Sequence, residues 1–141
     1  VADITTRQTT ATGATNKGSP LTNSELDQNF VNINADLCAL PQNTKSANYG
    51  PVLTDMGNRE FFFTATAAFT IPANAAVAFP IGTTFEVSAD AGAVVTIAIT
   101  TDTLRWIPVN STGSRTLTGP GSAVIQKKKS GEWWISGAGV T

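Results

Sequence analysis

The chain has 141 residues, a net charge of −1 and only 13% charged residues, enough for one domain with an appendage and a core of modest size. No basic surplus marks a nucleic-acid surface or an anionic-membrane patch, and with no histidine in the sequence a Ser-His-Asp triad and an imidazole-ligated zinc site are excluded. The one cysteine, Cys38, cannot form an intrachain disulfide and reads as a small buried residue.

Residues 1–20, "VADITTRQTTATGATNKGSP", carry a single large aliphatic side chain after Val1, namely Ile4. Such a segment cannot bury enough apolar area by itself to offset its ordering entropy. It reads either as a disordered tail or as an arm that orders on a partner, and about 20 extended residues reach roughly 60 to 70 Å. Thr5, Thr6, Thr9, Thr10 and Thr12 suit β conformation and strand addition to a neighbouring sheet edge. The N-terminus lacks the basic and apolar regions of a secretory signal, and no run is long enough to span a bilayer. The expectation is a protein that is intracellular or delivered outside without a cleaved signal.

The next segment predicts a helix over residues 22–40. Thr22 and Glu25 form a capping box, and Leu21 can staple against Leu26. Leu26, Phe30, Ile33, Leu37 and Leu40 then make an apolar seam of about two heptads, which Pro41 ends. Asp27, Gln28, Asn29, Asn32, Asn34 and Asp36 fall off that seam. A helix so rich in Asn and Asp is marginal on propensity, so its stripe must be covered. The cover is either the protein's own sheet or a short parallel bundle of copies, and the bulk of Phe30 and Ile33 suits three copies better than two.

From Asn43 onward the sequence reads as all β. Predicted strands are 49–53, 60–65, 69–71, 84–88, 94–100, 104–106, 116–117, 123–128 and 133–136, separated by turn chemistry at "DMGN", "IPAN", "FPIG", "DAGA", "NSTGS", "GPGS" and "KSGE". Short strands with frequent Gly and Pro predict a sandwich or small barrel of antiparallel strands. The runs "EFFFTATAAFTI" and "AVVTIAIT" are nearly continuous, a pattern of strands covered on both faces, with another subunit as the second cover.

No catalytic constellation emerges. Asp55 with Glu60, and Asp90 with Asp102, sit in turns or at strand ends, where the burial that perturbs an acid is scarce. Cys38 has no histidine to activate it. "GPGS" has neither the Walker nor the dinucleotide spacing, and no cofactor is implied. "KKKSGEWW" reads as a charged hairpin that keeps an edge from sticking, with Lys127 to Lys129 and Glu132 about a Ser130-Gly131 turn. Trp133 and Trp134 are adjacent in a strand and so project from opposite faces. An exposed one of these, with Trp106, is the sole hint of glycan contact.

"GATNKGSPLTNSELDQNFVNINADL", residues 13–37, resembles a segment near the N-terminus of many tailed-bacteriophage virion proteins, in which G-S-P-L-T-N-x-E-x-D-x-N-F-x-N-L-N recurs. Gly18, Ser19, Pro20, Leu21, Thr22, Asn23, Glu25, Asp27, Asn29, Phe30, Asn32 and Asn34 match, with Ile33 where leucine is usual. Residues 43–98 are similar to a small β module of phage fibres. Tyr49, Asp55, Gly57, Ile71, Pro72, Phe79, Pro80, Gly82 and Thr83 occupy its places, and "EWWISG" sits where such modules close. The resemblance implies a non-enzymatic virion component, commonly trimeric, attached to the particle by its N-terminal part.

The expectation is therefore a docking arm at 1–20, an oligomerisation helix at 21–41 and a β-sandwich or barrel module at 42–141. Leu26, Phe30, Ile33, Leu37 and Leu40 would join copies, and Ile4, Arg7, Lys17, Pro20 and Leu21 would dock on a capsid, neck or tail protein. The chain is short beside the usual fibre protein, which favours a short fibre, a collar or adaptor piece, or a capsid decoration protein. The alternative is a carbohydrate-binding module that takes a host glycan on Trp106, Trp133 or Trp134.

Overall fold

A computed structural model describes residues 4–6, 14–16, 22–24, 26–29, 41–56 and 59–141. It divides into two units, Val1–Leu40 and Pro41–Thr141. In the first, β1 (Ile4–Thr6) and β2 (Ala14–Asn16) pair in parallel, Ile4 opposite Ala14. Residues 23–24 and 26–29 are helical, and the Leu26 N–H donates to the Thr22 carbonyl at 3.0 Å, so the helix starts after Thr22. Phe30, Ile33, Leu37, Leu40, Arg7, Lys17, Pro20, Leu21 and Cys38 lie outside the described residues, and of Ile4 only the backbone is described.

The second unit is mainly β, with strands β3 (Gln42–Lys45), β4 (Arg59–Phe63), β5 (Ala67–Ile71), β6 (Thr84–Ala89), β7 (Val94–Ile99), β8 (Thr103–Trp106), β9 (Ser111–Thr112), β10 (Arg115–Lys129) and β11 (Glu132–Val140). Its sheet is mixed, which corrects the expectation of antiparallel strands. β3, β4 and β6 are successive parallel neighbours. β5 and β7 are parallel to each other, and Tyr49 bridges to Phe69 in the same sense. The chain thus winds: β3, then Tyr49, then β4, β5, β6 and β7, each coil adding one strand to either layer.

Backbone hydrogen bonds stack the coils. Thr64 N–H donates to the Lys45 carbonyl at 3.0 Å and Asp90 N–H to the Phe63 carbonyl at 2.9 Å. Tyr49 N–H donates to Ala68 O at 2.8 Å, and Thr70 N–H to Tyr49 O at 2.9 Å. Side chains hold the arches between layers: Asn48 Oδ1 accepts from Ala68 N–H at 2.8 Å, and Thr66 Oγ1 from Val94 N–H at 3.2 Å.

One long strand closes the winding on both layers. Arg115 to Thr118 of β10 pair antiparallel with β7, and Gly121 to Gln126 pair antiparallel with β6. Between them lies a corner containing the cis Gly119-Pro120 bond, where the strand passes from one layer to the other. β11 returns antiparallel along β10, and β8 then lies parallel to β11, with β9 at the edge.

The continuous apolar runs resolve into alternation. Phe61 and Phe63 of β4, Phe69 and Ile71 of β5, Phe85 and Val87 of β6, and Val95 and Ile97 of β7 all point into the core, while Phe62, Ala68 and Ala98 are half-buried on the outer faces. Across the layers Phe61 meets Phe69 at 5.1 Å between ring centroids, and within one layer Phe85 stacks on Trp133 at 5.7 Å. Aromatic pairs of this kind contribute about 0.5 to 1.5 kcal/mol beyond the area they bury.

Two polar groups are built into this core. Lys127 lies on the inward face of β10 with Ala123 and Ile125, 1% exposed, its Nζ bonded to Asn74 Oδ1 and 5.6 Å from the Trp133 ring. Burial lowers its pKa and Asp102 partly opposes that. The expectation that Lys127 belongs to a solvated charged hairpin is thus corrected, and only Lys128 and Lys129 are exposed there. Asp55 is the other: its Oδ2 accepts from Tyr49 Oη–H at 2.7 Å and from Val52 N–H at 2.8 Å.

Tyr49 is pushed up to about 12, first by burial and then by its bond to Asp55 and that carboxylate's charge. It is the one tyrosine in the sequence, so phenolate absorbance of the folded protein reports this group alone. The expected midpoint is about 12, against 10.0 for a free tyrosine. A hydroxyl with a raised pKa confers its stability fully below the unfolded value and loses it as pH climbs through the folded one. Stability should therefore fall between pH 10.0 and about 12, and Tyr49→Phe should flatten that fall. A native midpoint at the free-tyrosine value would show that neither the burial of Tyr49 nor its bond to Asp55 holds in solution.

Candidate functional site

The strand period decides the fate of the three tryptophans. In β11, Trp133 and Ile135 face the core, whereas Glu132, Trp134 and Ser136 face outward. Trp133 is 1% exposed, so its assignment as a glycan contact is corrected: it is wedged among Phe79, Phe85 and Lys127 and presents no face to a ligand. Trp106 packs half-buried against the core, with the Arg115 guanidinium 5.4 Å from its ring. Trp134 alone stands on an outer face beside a concavity.

That concavity measures about 180 Å³ and is lined by Arg105, Ile107, Asn110 and Trp134. The parallel pairing of β8 with β11 sets Arg105 directly beside Trp134. After β8 the chain makes a 3-10 turn, Ile107–Val109, which Asn110 ends in the left-handed conformation at φ 56°. Asparagine tolerates that backbone better than most residues, and its position there brings the amide back over β8.

The guanidinium is held at two points. Arg105 Nε donates to Glu132 Oε1 at 2.8 Å and Nη1 donates to Asn110 Oδ1 at 2.8 Å. Glu132 also accepts from Trp134 Nε1 at 2.7 Å and from Lys129 Nζ at 3.2 Å. The Arg105 bond first, then those from Trp134 and Lys129, hold its carboxyl down at about 2, so it is ionised throughout the physiological range. Lys128 Nζ lies 5.3 Å from the Trp134 ring. Three cations thus surround one carboxylate and one indole plane, with the exposed Ile107 in the lining.

The arrangement fixes donors and an apolar plane, and no nucleophile and base line it together. The carboxylates singled out from the sequence serve structural ends. Glu60 accepts from Gln42 Nε2 at 3.2 Å, Asp90 from Ala91 N–H at 2.8 Å, and Asp102 from Asn74 N–H at 3.0 Å. Among the described residues no group of three or more His, Cys, Asp or Glu side chains is placed to hold a metal, and no helix is long and apolar enough to cross a membrane.

Sequence reasoning found Trp134 but not its companions. Glu132 was within reach of it, since residues two apart on a strand share a face. Arg105 and Asn110 were not, because only the pairing of β8 with β11 brings them there. Comparison of the chain with family models, with curated proteins and with solved structures finds no match.

Proposed function

We propose that this chain is a non-enzymatic bacteriophage virion structural protein, a short homotrimeric fibre or decoration protein whose N-terminal part joins copies and docks on a capsid, neck or tail protein. The reading rests on the succession of the two motifs in residues 13–37 and 43–98. Leu26, the first residue of the apolar seam, is 40% exposed, and on this reading another copy of the chain would cover it. The unit Pro41–Thr141 has its own core and so suits a projecting module that does not need the helix to fold.

Burial of each seam residue in a bundle would contribute about 1.5 to 3 kcal/mol per side chain, which makes a charge there prohibitive. Phe30→Asp is expected to convert a trimeric mass in light scattering to a monomeric one while the thermal transition of the β unit persists. A variant that keeps the wild-type mass would refute the joining role of the helix. A wild-type chain already monomeric would refute the trimer and favour a single-copy adaptor.

A further inference from the structure

The geometry points to a binding site for a carboxylated sugar residue at the concavity of Trp134, Arg105 and Asn110, independent of whether the chain is a virion component. A guanidinium tied down through Nε and Nη1 is fixed in orientation before any ligand arrives, and its Nη2 is the end without an acceptor among the described residues. Arginine forks match carboxylates in shape as well as charge, and fixing the fork in advance lowers the entropy lost on binding.

The indole beside it supplies the second half of the recognition. Trp134 is half-buried with Nε1 committed to Glu132 and the Lys128 ammonium over its ring, so what it offers in the concavity is the remaining ring surface and not its N–H. A pyranose ring presents an apolar C–H face to such a plane, and a carboxylate on that ring would meet Arg105 on the neighbouring strand. The Asn110 side chain accepts with Oδ1, which leaves its amide N–H groups to donate to a ligand hydroxyl. A volume of about 180 Å³ is below the roughly 300 to 1,000 Å³ of pockets that enclose drug-sized ligands. It therefore holds one ring of a chain that runs on across the surface.

Charge favours an acid over a neutral sugar. Arg105, Lys128 and Lys129 surround the site against Glu132 alone, so an anionic ring gains attraction that a neutral one lacks. Lys129 is largely exposed and would contribute attraction that salt screens, whereas the fixed Arg105 would supply selectivity.

The test uses the full chain, with trigalacturonate, an N-acetylneuraminic acid trimer and uncharged galactotriose as probes, read by tryptophan fluorescence and by the indole N–H signals of the three tryptophans. At least one acidic trimer is expected to bind and to shift one indole signal. Galactotriose should bind about tenfold more weakly or worse, the loss typical of a charged hydrogen bond. Trp134→Ala and Arg105→Lys should each weaken acid binding by a similar factor with little change in melting temperature. Arg105→Lys keeps the charge and much of the stem, and so remains informative if the tryptophan variant fails to fold. The proposal is overturned if neither acidic trimer binds at up to about 10 mM, or if the neutral trimer binds equally well. It is also overturned if both variants bind as wild type does, for then the exposed lysines alone would attract the polyanion.

Discussion

Phe85→Ala is expected to destabilise the β unit by about 3 to 5 kcal/mol, enough to consume much of the 5 to 15 kcal/mol that a domain typically has. Phe85 is fully buried on β6 at the point where both layers meet. Its ring sits 5.7 Å from Phe61, 6.1 Å from Phe69, 5.3 Å from Phe79 and 5.7 Å from Trp133, with edge-on contacts to the first three and a stack on the last. Truncation opens a void that β4, β5, β6 and β11 would have to close together, and strands locked in register by the winding cannot collapse independently. The measurement is a urea titration followed by tryptophan fluorescence, for which Trp133 stacks on the altered position. A midpoint within error of wild type would show that the two layers are not packed as described. Phe62→Ala is the internal comparison: on the outer face of the adjacent strand and half-exposed, it should cost well under half as much.

The contrast between Phe85 and Phe62 also marks how much of the fold was legible. Alternation in "TFEVSA" places Phe85, Val87 and Ala89 on one face without any structure, and the turns at "DAGA" and "IPAN" fall between strands as expected. The parallel winding was not legible. "TAT" after β4 and "DAGA" after β6 have the length of hairpin loops, and loop length alone does not distinguish a strand that folds back beside its predecessor from one that crosses to the opposite layer. "GPGS" misled for a related reason. Two glycines and a proline are ordinary turn chemistry, yet here they bend a single strand, so that the predicted strands 116–117 and 123–128 are the two arms of β10. β3 was missed because "QNTK" is polar throughout, an edge strand with little side-chain burial and hence no hydrophobic period to read.

At the site, the sequence said that one of Trp133 and Trp134 faces inward, and a further step was available: Glu132 and Ser136 share a face with Trp134, and Ile135 shares one with Trp133. That pattern already assigns Trp133 to the core. Lys127 was beyond such reasoning. It occupies an inward position that its residue type denies, and it is tolerated because its ammonium donates to the Asn74 side-chain oxygen and lies 5.6 Å from the Trp133 ring.

Gly119→Ala is expected to be as damaging as the loss of Phe85, through the opposite mechanism. A Cβ at residue 119 would lie 1.9 Å from Asp90 O, 2.7 Å from Asp90 C and 2.8 Å from Ala89 O, all backbone atoms at the end of β6, so no rotamer change relieves the overlap. Either the corner of β10 moves away from β6, breaking the Gly119 N–H bond to the Ala93 carbonyl at 2.9 Å, or the turn at Asp90 opens. Overpacking in cores typically costs about 1 to 3 kcal/mol, and a clash with backbone atoms, which no side-chain movement relieves, belongs at the upper end or beyond it. Because β10 is the strand that ties the two layers together, the disturbance should reach both β6 and β7. The expected signature is a lowered melting temperature together with faster amide exchange at residue 119 and at Asp90, whose N–H otherwise bonds to Phe63. Gly131→Ala in the β10–β11 turn is the matched control: a Cβ there meets nothing within 4 Å, so stability should stay within about 0.5 kcal/mol. If Gly119→Ala melts with that control, β10 does not press its corner against β6 as the geometry requires. If it melts far below, the close approach of these two backbones is what demands glycine at the bend.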